Sequence, residues 1–394
     1  MPRFLHTADW QIGRLYTSFA ADDAVPLAEA RLRAVETVAR LATEHAVDAV
    51  LVAGDVFDAQ TVAERTIRRL FNALSGFAGP WLMIPGNHDA ALAESVWTRA
   101  MRLRALPANL HLALTPATLP FPDLGFTALM APLTQRHTFD DLTAWFDAAP
   151  APDGHLRIGV AHGSVQGILA EDIDSPNPIA PDRAARARLD YLALGDWHGC
   201  KSIDARTWYS GTPEPDRFRG NEPGFALLVE IDAPGAEPRV TRLAIGQYQW
   251  RASEVVIHVP SDIEGLCERL AQSSASDVLD LRVSGESDLA GLQRLRAAIA
   301  DAEARARSVQ ADLADLRLAP TAEDIAALEA DGYLGEVIED LRERQARDAP
   351  GAVLTGPALA VSDKVLRESA TTARDALALL AGILAERRGV EAAS

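Results

Sequence analysis

Only two of the 394 residues are cysteine, Cys200 and Cys267. Two cysteines cannot build a disulfide framework, and this pair lacks the close spacing of a zinc knuckle. Lysine is equally scarce: Lys201 and Lys364 are the whole supply, so nearly all positive charge is arginine. Arginine forks suit phosphate, although such skewed usage also arises from genome composition. Positive charge as a whole is outnumbered, with 38 Lys and Arg against 56 Asp and Glu and a net charge of −18. A surface coated in basic residues is thereby excluded, while a locally basic groove is not. No apolar run approaches the ~18 residues of a membrane span. The opening MPRFLHTADWQIG carries no basic stretch followed by an apolar one, so no signal peptide is read there. A cytoplasmic protein away from any membrane is expected.

What is present is a pattern. Five times in the first 200 residues a short apolar run ends in a polar cluster with a small residue at the turn: RFLHTADWQ, AVLVAGDVFD, WLMIPGNHD, RIGVAHG and YLALGDWHG. Continuous apolar runs of this length read as strands buried on both faces. Between the first two runs, Leu27, Ala30, Ala34, Val35, Val38 and Leu41 recur at helical spacing. AERTIRRLFNALSGF supplies a second helix before the third run. Strand–helix alternation predicts an α/β layered fold, with sheets flanked by helices. In such folds ligands gather at the carboxyl ends of strands. Every polar cluster lies at that end, which brings Asp9, Asp55, Asn87, His162, Asp196 and His198 together.

Farther on, FALLVEI and RVTRLAI flank DAPGAEP as a hairpin closing a first domain at residues 1–250. Residues 251–320 alternate strand and helix as a small α/β domain. Residues 321–394 read as two helices around the Pro/Gly loop DAPGAVLTGP. The last helix carries Leu377, Leu379, Leu380, Ile383 and Leu384, a stripe for packing within the chain or for docking a partner helix.

Hydrolysis of a phosphate ester near neutral pH needs neutralised phosphoryl oxygens and an activated water. Two divalent ions roughly 3.5–4 Å apart provide both. Asp55 is the natural bridging carboxylate, turned inward by Gly54. Asp9 and His198 would complete one ion's shell, Asn87 and His162 the other's. His88 would face the open side, able to protonate the leaving oxygen or stabilise the transition state. Asp89 would fix the His88 tautomer and Asp58 would support the ligands in the same way. His6 reads as a buried structural histidine and Cys200 as a packed residue. Trp10 and Trp197 either stack on a base or pack at the sheet edge. Arg183, Arg186 and Arg188, with Arg217 and Arg219, either neutralise a nucleic-acid backbone or form a solvated surface.

The motifs DWQ, GDVFD, GNHD, VAHG and GDWHG, in this order and spacing, resemble those of the calcineurin-like metallophosphoesterases. FLHTADWQIGR with AGDVFDAQ and IPGNHDA is similar to the SbcD-type exonucleases of DNA double-strand-break repair. That resemblance implies a sandwich of β-sheets flanked by helices and a capping domain over 251–320. It also implies terminal helices that meet an SbcC-type coiled-coil ATPase, and it admits a homodimer. The implied activity is a two-metal phosphodiesterase on DNA, a 3′-to-5′ exonuclease with single-strand endonuclease activity. The rival readings are a phosphodiesterase for small molecules and a catalytically weakened scaffold that binds DNA ends. Tyr209 in WYSGTPEP, with Arg217 and Arg219, would line the substrate path. Two positions depart from the family pattern: Gln11 and Asp196 stand where it places histidines. Both changes move the ligand set from nitrogen toward oxygen, which suits Mn²⁺ or Mg²⁺ better than Zn²⁺.

Overall fold

The structure, a computed structural model, describes residues 2–168, 177–321, 333–347, 372–380 and 382–383. It divides at Trp250 into two compact units, Met1–Trp250 and Arg251–Ser394.

The first unit is built on the five apolar runs, which form β1 (Arg3–Thr7), β2 (Ala49–Ala53), β3 (Trp81–Ile84), β7 (Leu156–His162) and β10 (Tyr191–Gly195). Between β3 and β7 come β4 (Leu110–Leu112), β5 (Ala117–Phe121) and β6 (Phe126–Ala131). Two-residue strands β8 (Ser164–Val165) and β9 (Pro178–Ile179) follow β7. Then β11 (Lys201–Ser202), β12 (Thr207–Tyr209), β13 (Phe225–Glu230) and β14 (Arg239–Ala244) complete the unit. One sheet runs β14-β13-β1-β2-β3-β4 and the other β11-β12-β10-β7-β6-β5. At the centre of each the strands are parallel: β1, β2, β3 and β4 in one, β6, β7, β10 and β12 in the other.

Alternate residues of each strand serve two different cores. From β2, Ala49, Leu51 and Ala53 face the opposing sheet with Phe126, Met130, Val160 and Ala193, while Val50 and Val52 face helices. Those helices are α1 (Ala21–Glu44), α2 (Glu64–Ala73) and α3 (Val96–Arg102). A strand buried on both faces has no polar position, hence the uninterrupted runs. On the far side of the second sheet, Leu192 and Leu194 pack with Phe146 and with Ala184 of α4 (Arg183–Arg186). Each large side chain so buried stabilises the sandwich by roughly 1.5–3 kcal/mol. His6 is fully buried between the sheets; its Nδ1 accepts from the Tyr191 hydroxyl at 2.9 Å and its Nε2 donates to the Leu194 carbonyl at 3.2 Å. Burial pushes it down to about 3, so it stays neutral as a structural histidine.

The chain passes into the second unit within β15 (Gln249–Ile257), which forms one sheet with β16 (Asp277–Ser287) and β17 (Ser308–Leu318) in that order. Helices α5 (Pro260–Ala271) and α6 (Leu289–Arg305) connect them over a core of Ile257, Ile263, Leu266, Leu281, Leu295 and Ile299. Beyond lie α7 (Tyr333–Arg347) and helical residues 372–380, joined through Ile338, Leu341, Leu377 and Leu380. Leu377 packs, Leu379 and Ile383 are exposed, and Leu384 and the loop 348–357 lie outside the described residues. No helix among the described residues is long and apolar enough to cross a membrane.

Candidate metal centre

The carboxyl ends of β1, β2, β3, β7 and β10 converge in the first unit. Asp9, Asp55 and His162, all buried, each place a donor atom within 4.8 Å of the others. The backbone at this end is forced: Asp9, Gln11, Asp55 and Asp196 have φ of 54°, 50°, 52° and 105°. Non-glycine residues adopt such angles at a cost, and the cost is met by surrounding contacts. The turns after β1 and β2 hold one another through Asp9 N–H to the Gly54 carbonyl, Gln11 N–H to the Asp55 carbonyl and Ile12 N–H to the Val56 carbonyl. Gly54, at φ 89°, has no room for a side chain because a Cβ there would enter the His162 ring.

His162 donates from Nδ1 to the Ala53 carbonyl at 2.8 Å, so Nε2 is the ring atom that faces the carboxylates. That atom lies 3.6 Å from Asp55 Oδ1 and 3.7 Å from Asp196 Oδ1 and has no hydrogen-bond partner. Burial alone would push His162 down, but the carboxylates of Asp55, Asp9 and Asp196 outweigh it and raise the group to about 9. Burial also raises Asp9 to about 6, against the attraction of His198 and His162 and with the repulsion of Asp55 and Asp196. A pocket that presses acceptors together in this way calls for a cation.

Two more acceptors are orphaned beside it. Gln11 donates its amide N–H to Asp55 Oδ2 at 2.7 Å, while its buried Oε1 has no partner. Asn87 Oδ1 is likewise buried and unpartnered. Asn87 is flanked by Gly86, which packs against Asp55, and by His88, whose backbone N–H donates to Asp55 Oδ1 at 2.9 Å. Asp196 joins the cluster through its own N–H, shared between the two Asp9 carboxylate oxygens at 3.1 and 3.2 Å.

Several sequence-based expectations need correction. Asp89 does not touch His88. Its carboxylate accepts from the N–H groups of Val56, Phe57 and Gly86, clamping the turns after β2 and β3 together. Burial, aided by the Asp55 charge, pushes it up to about 7 against those hydrogen bonds. The Asp58 backbone carbonyl, rather than its carboxylate, accepts the His88 Nδ1–H at 2.8 Å. The Asp58 carboxylate is paired with Arg14. Tyr209 is fully buried and lines no path; its hydroxyl donates to the Gly163 carbonyl and accepts from Val165 N–H, bracing the segment after His162. His198 stands outside the three-residue group, with Nδ1 3.2 Å from Asp216 Oδ2 and 2.9 Å from Arg217 Nη2. Arg217 is therefore engaged by Asp216 and His198, whereas Arg219 is exposed. Buried Arg183 is engaged by Asp141 and Asp147, and exposed Arg186 makes a surface pair with Asp147. Arg188 is exposed. Trp10 is buried and bonded to Thr7, closing the stacking alternative there; Trp197 is half-buried beneath Lys201.

A sequence profile of the calcineurin-like phosphoesterase family matches residues 2–229. The SbcD subunit of the nuclease SbcCD from Rhodobacter capsulatus is 42% identical over 288 residues, covering 60% of this chain and 68% of that one. The chain belongs to the calcineurin-like phosphoesterases, in their SbcD-type branch. The corresponding SbcCD subunit from Bacillus subtilis is 26% identical over 345 residues, covering 75% and 83% of the two chains. The DNA double-strand break repair protein Mre11 of Methanosarcina acetivorans is 26% identical over 249 residues, 60% of this phosphoesterase but 38% of that protein.

Two supports of this phosphoesterase site carry little sequence signal. Asp216, buried, is held far below the usual carboxylate range by His198, Arg31 and Arg217 in spite of burial. Arg31 is buried in α1 and donates to the carbonyls of Asp9, Trp10 and Glu214, to the Tyr16 hydroxyl and to Thr212 Oγ1. It fastens the first motif to the loop that carries Asp216. Its one sequence mark is its place on the apolar stripe, four residues from both Leu27 and Val35.

Proposed function

We propose that this phosphoesterase is a two-metal DNA phosphodiesterase, a 3′-to-5′ exonuclease with single-strand endonuclease activity, working in the cytoplasm with an SbcC-type coiled-coil ATPase. One observation carries the metal reading: Gln11 Oε1, Asn87 Oδ1 and His162 Nε2 are buried and unpartnered around Asp9 and Asp55. Buried polar atoms are normally satisfied; a divalent cation would satisfy the two amide oxygens together and take the place of the proton on His162 Nε2. The donor set fits such ions. Asp55 is the bridging candidate, with Asp9, Gln11, Asn87, His162, Asp196 and, after a turn of its ring, His198 as further ligands. Its oxygen-rich character favours Mn²⁺, then Mg²⁺, over Zn²⁺. When bound, the ions supply charge neutralisation at the phosphoryl oxygens and a more acidic water.

The protein's own groups do the rest. His88 is anchored through Nδ1 to Asp58, so Nε2, on a half-exposed ring, is the atom that gives or takes a proton at the leaving oxygen. Asp89 keeps the two ligand-bearing turns in register. Residues 251–320 are the capping domain of this reading, and the helices within 321–394 dock the ATPase. DNA is supported by the relatives' names, the ATPase only by the family resemblance, and a homodimer is compatible with the same reading.

The test is digestion of end-labelled single-stranded and duplex DNA in Mn²⁺, with and without the ATPase, beside hydrolysis of bis-p-nitrophenyl phosphate. Metal-dependent DNA cleavage lost in His88→Asn supports the reading. Hydrolysis of the small ester without any action on DNA would replace it with a small-molecule phosphodiesterase. An inert wild type would leave only a DNA-end scaffold.

A further inference from the structure

Phe139 is the most exposed large apolar side chain among the described residues, at 90%. Single exposed apolar residues are common on proteins, but this one is held out by a rigid base. Thr138 before it is buried, its N–H donating to Asn177 Oδ1 at 3.0 Å and its hydroxyl accepting from Asp140 N–H. Asn177, itself buried, donates its amide to the Arg136 carbonyl at 3.2 Å. On the far side Asp141 is tied to buried Arg183. The peptide on both sides of Phe139 is held by these bonds.

The base is fastened to the metal centre. The Asn177 carbonyl accepts from Ser164 N–H at 2.8 Å, two residues beyond His162. Leu133 donates its N–H to the Pro85 carbonyl and accepts from Ala91 N–H, gripping the GNHD turn at both ends. The loop follows β6, whose parallel neighbour β7 ends at His162. Exposed Gln135, Arg136 and His137 precede Phe139. Exposed Phe139 and Arg136 stand on one loop that is tied through Asn177 to the segment after His162, and an aromatic ring with a guanidinium is the pair of groups that grips single-stranded nucleic acid, with bases stacked and phosphates paired.

We propose that Phe139 is a stacking platform for an unpaired base at the rim of the metal centre, with Arg136 taking an adjacent phosphate. This rests on the DNA reading above and deepens it by assigning the single-strand contact to this loop. The probe is a single-stranded oligonucleotide carrying 2-aminopurine, bound to the full-length chain in EDTA and followed by anisotropy and base fluorescence. Phe139→Ala is expected to weaken binding about tenfold and to relieve the quenching, and Phe139→Trp to retain both. Hydrolysis of bis-p-nitrophenyl phosphate in Mn²⁺ and the melting temperature should stay unchanged in Phe139→Ala. Arg136→Ala should lower the salt dependence of binding by about one counterion. Unaltered affinity and quenching in Phe139→Ala, while the wild type cleaves DNA, would overturn this proposal alone. Loss of ATPase binding with DNA binding intact would overturn it in favour of a protein contact. A wild type that neither binds nor cleaves DNA would instead remove the DNA reading itself.

Discussion

Both units of the molecule end strands in acidic residues, yet the two sets of carboxylates are used in opposite ways. In the second unit Asp262 and Asp288 follow β15 and β16 and are consumed at once at helix N-termini, Asp288 as the cap of α6 and Asp262 in the first turn of α5. Asp262 accepts from the N–H groups of His258 and Val259, and Asp288 accepts from Gly291 N–H at 2.6 Å. None of the described non-glycine residues there has positive φ. In the first unit Asp9, Asp55 and Asp196 sit on left-handed backbone and are aimed at one another and at His162. The difference is one of backbone direction more than of composition. A carboxylate that reaches a helix N-terminus is spent on stability. One twisted off the strand end into a pocket of like charges is held ready for a cation.

Asp55 is where the two units should differ most. Asp55→Ala should lower Mn²⁺-dependent phosphodiester hydrolysis about a thousandfold or more, measured as initial rates on bis-p-nitrophenyl phosphate, with the second unit still folded. Asp89→Ala comes next, since it strips the acceptor from three buried N–H groups. A loss of at least about 3 kcal/mol is expected in urea unfolding, whereas His88→Asn should leave stability alone and remove activity. If both variants behaved alike, the bracing role of Asp89 would be wrong.

Acid should separate the units by a third route. His6 in the folded protein sits near 3, below its ordinary 6.5, because burial disfavours the cation. Its contribution to stability is therefore complete above pH 6.5 and is lost as pH falls through the window toward 3. All seven tryptophans lie between Trp10 and Trp250, so their fluorescence reports the first unit. That signal should move to lower pH in His6→Gln, and an unmoved midpoint would contradict the assignment. The smallest effect belongs to the second unit. Asp288→Ala should cost about 1 kcal/mol through the lost cap and leave metal binding untouched.

How much of this was legible in the residues follows the same line. The five apolar runs announced their strands because burial on both faces leaves no polar position. The polar clusters behind them named Asp9, Asp55 and His162. The stretch Leu110–Ala131 gives no such signal: His111, Pro116, Pro120 and Pro122 interrupt it, and β4 and β5 are only half-buried, so one edge of each sheet is hidden in the sequence. Side-chain direction was also hidden. Nothing in GNHD says that Asp89 turns back toward three backbone amides, or that Gln11 offers its amide nitrogen to Asp55 and leaves its oxygen unpaired. Arg31 looked like one more charge on a helix, when its guanidinium is what ties the first motif to Asp216.

Electron paramagnetic resonance of the full-length chain titrated with Mn²⁺, beside Asp55→Ala, tests the central claim most directly. Two ions per wild-type chain with a spin-coupled signal are expected, and loss of the coupled pair in the variant. Equal, uncoupled binding by both proteins, or none by the wild type, would contradict it.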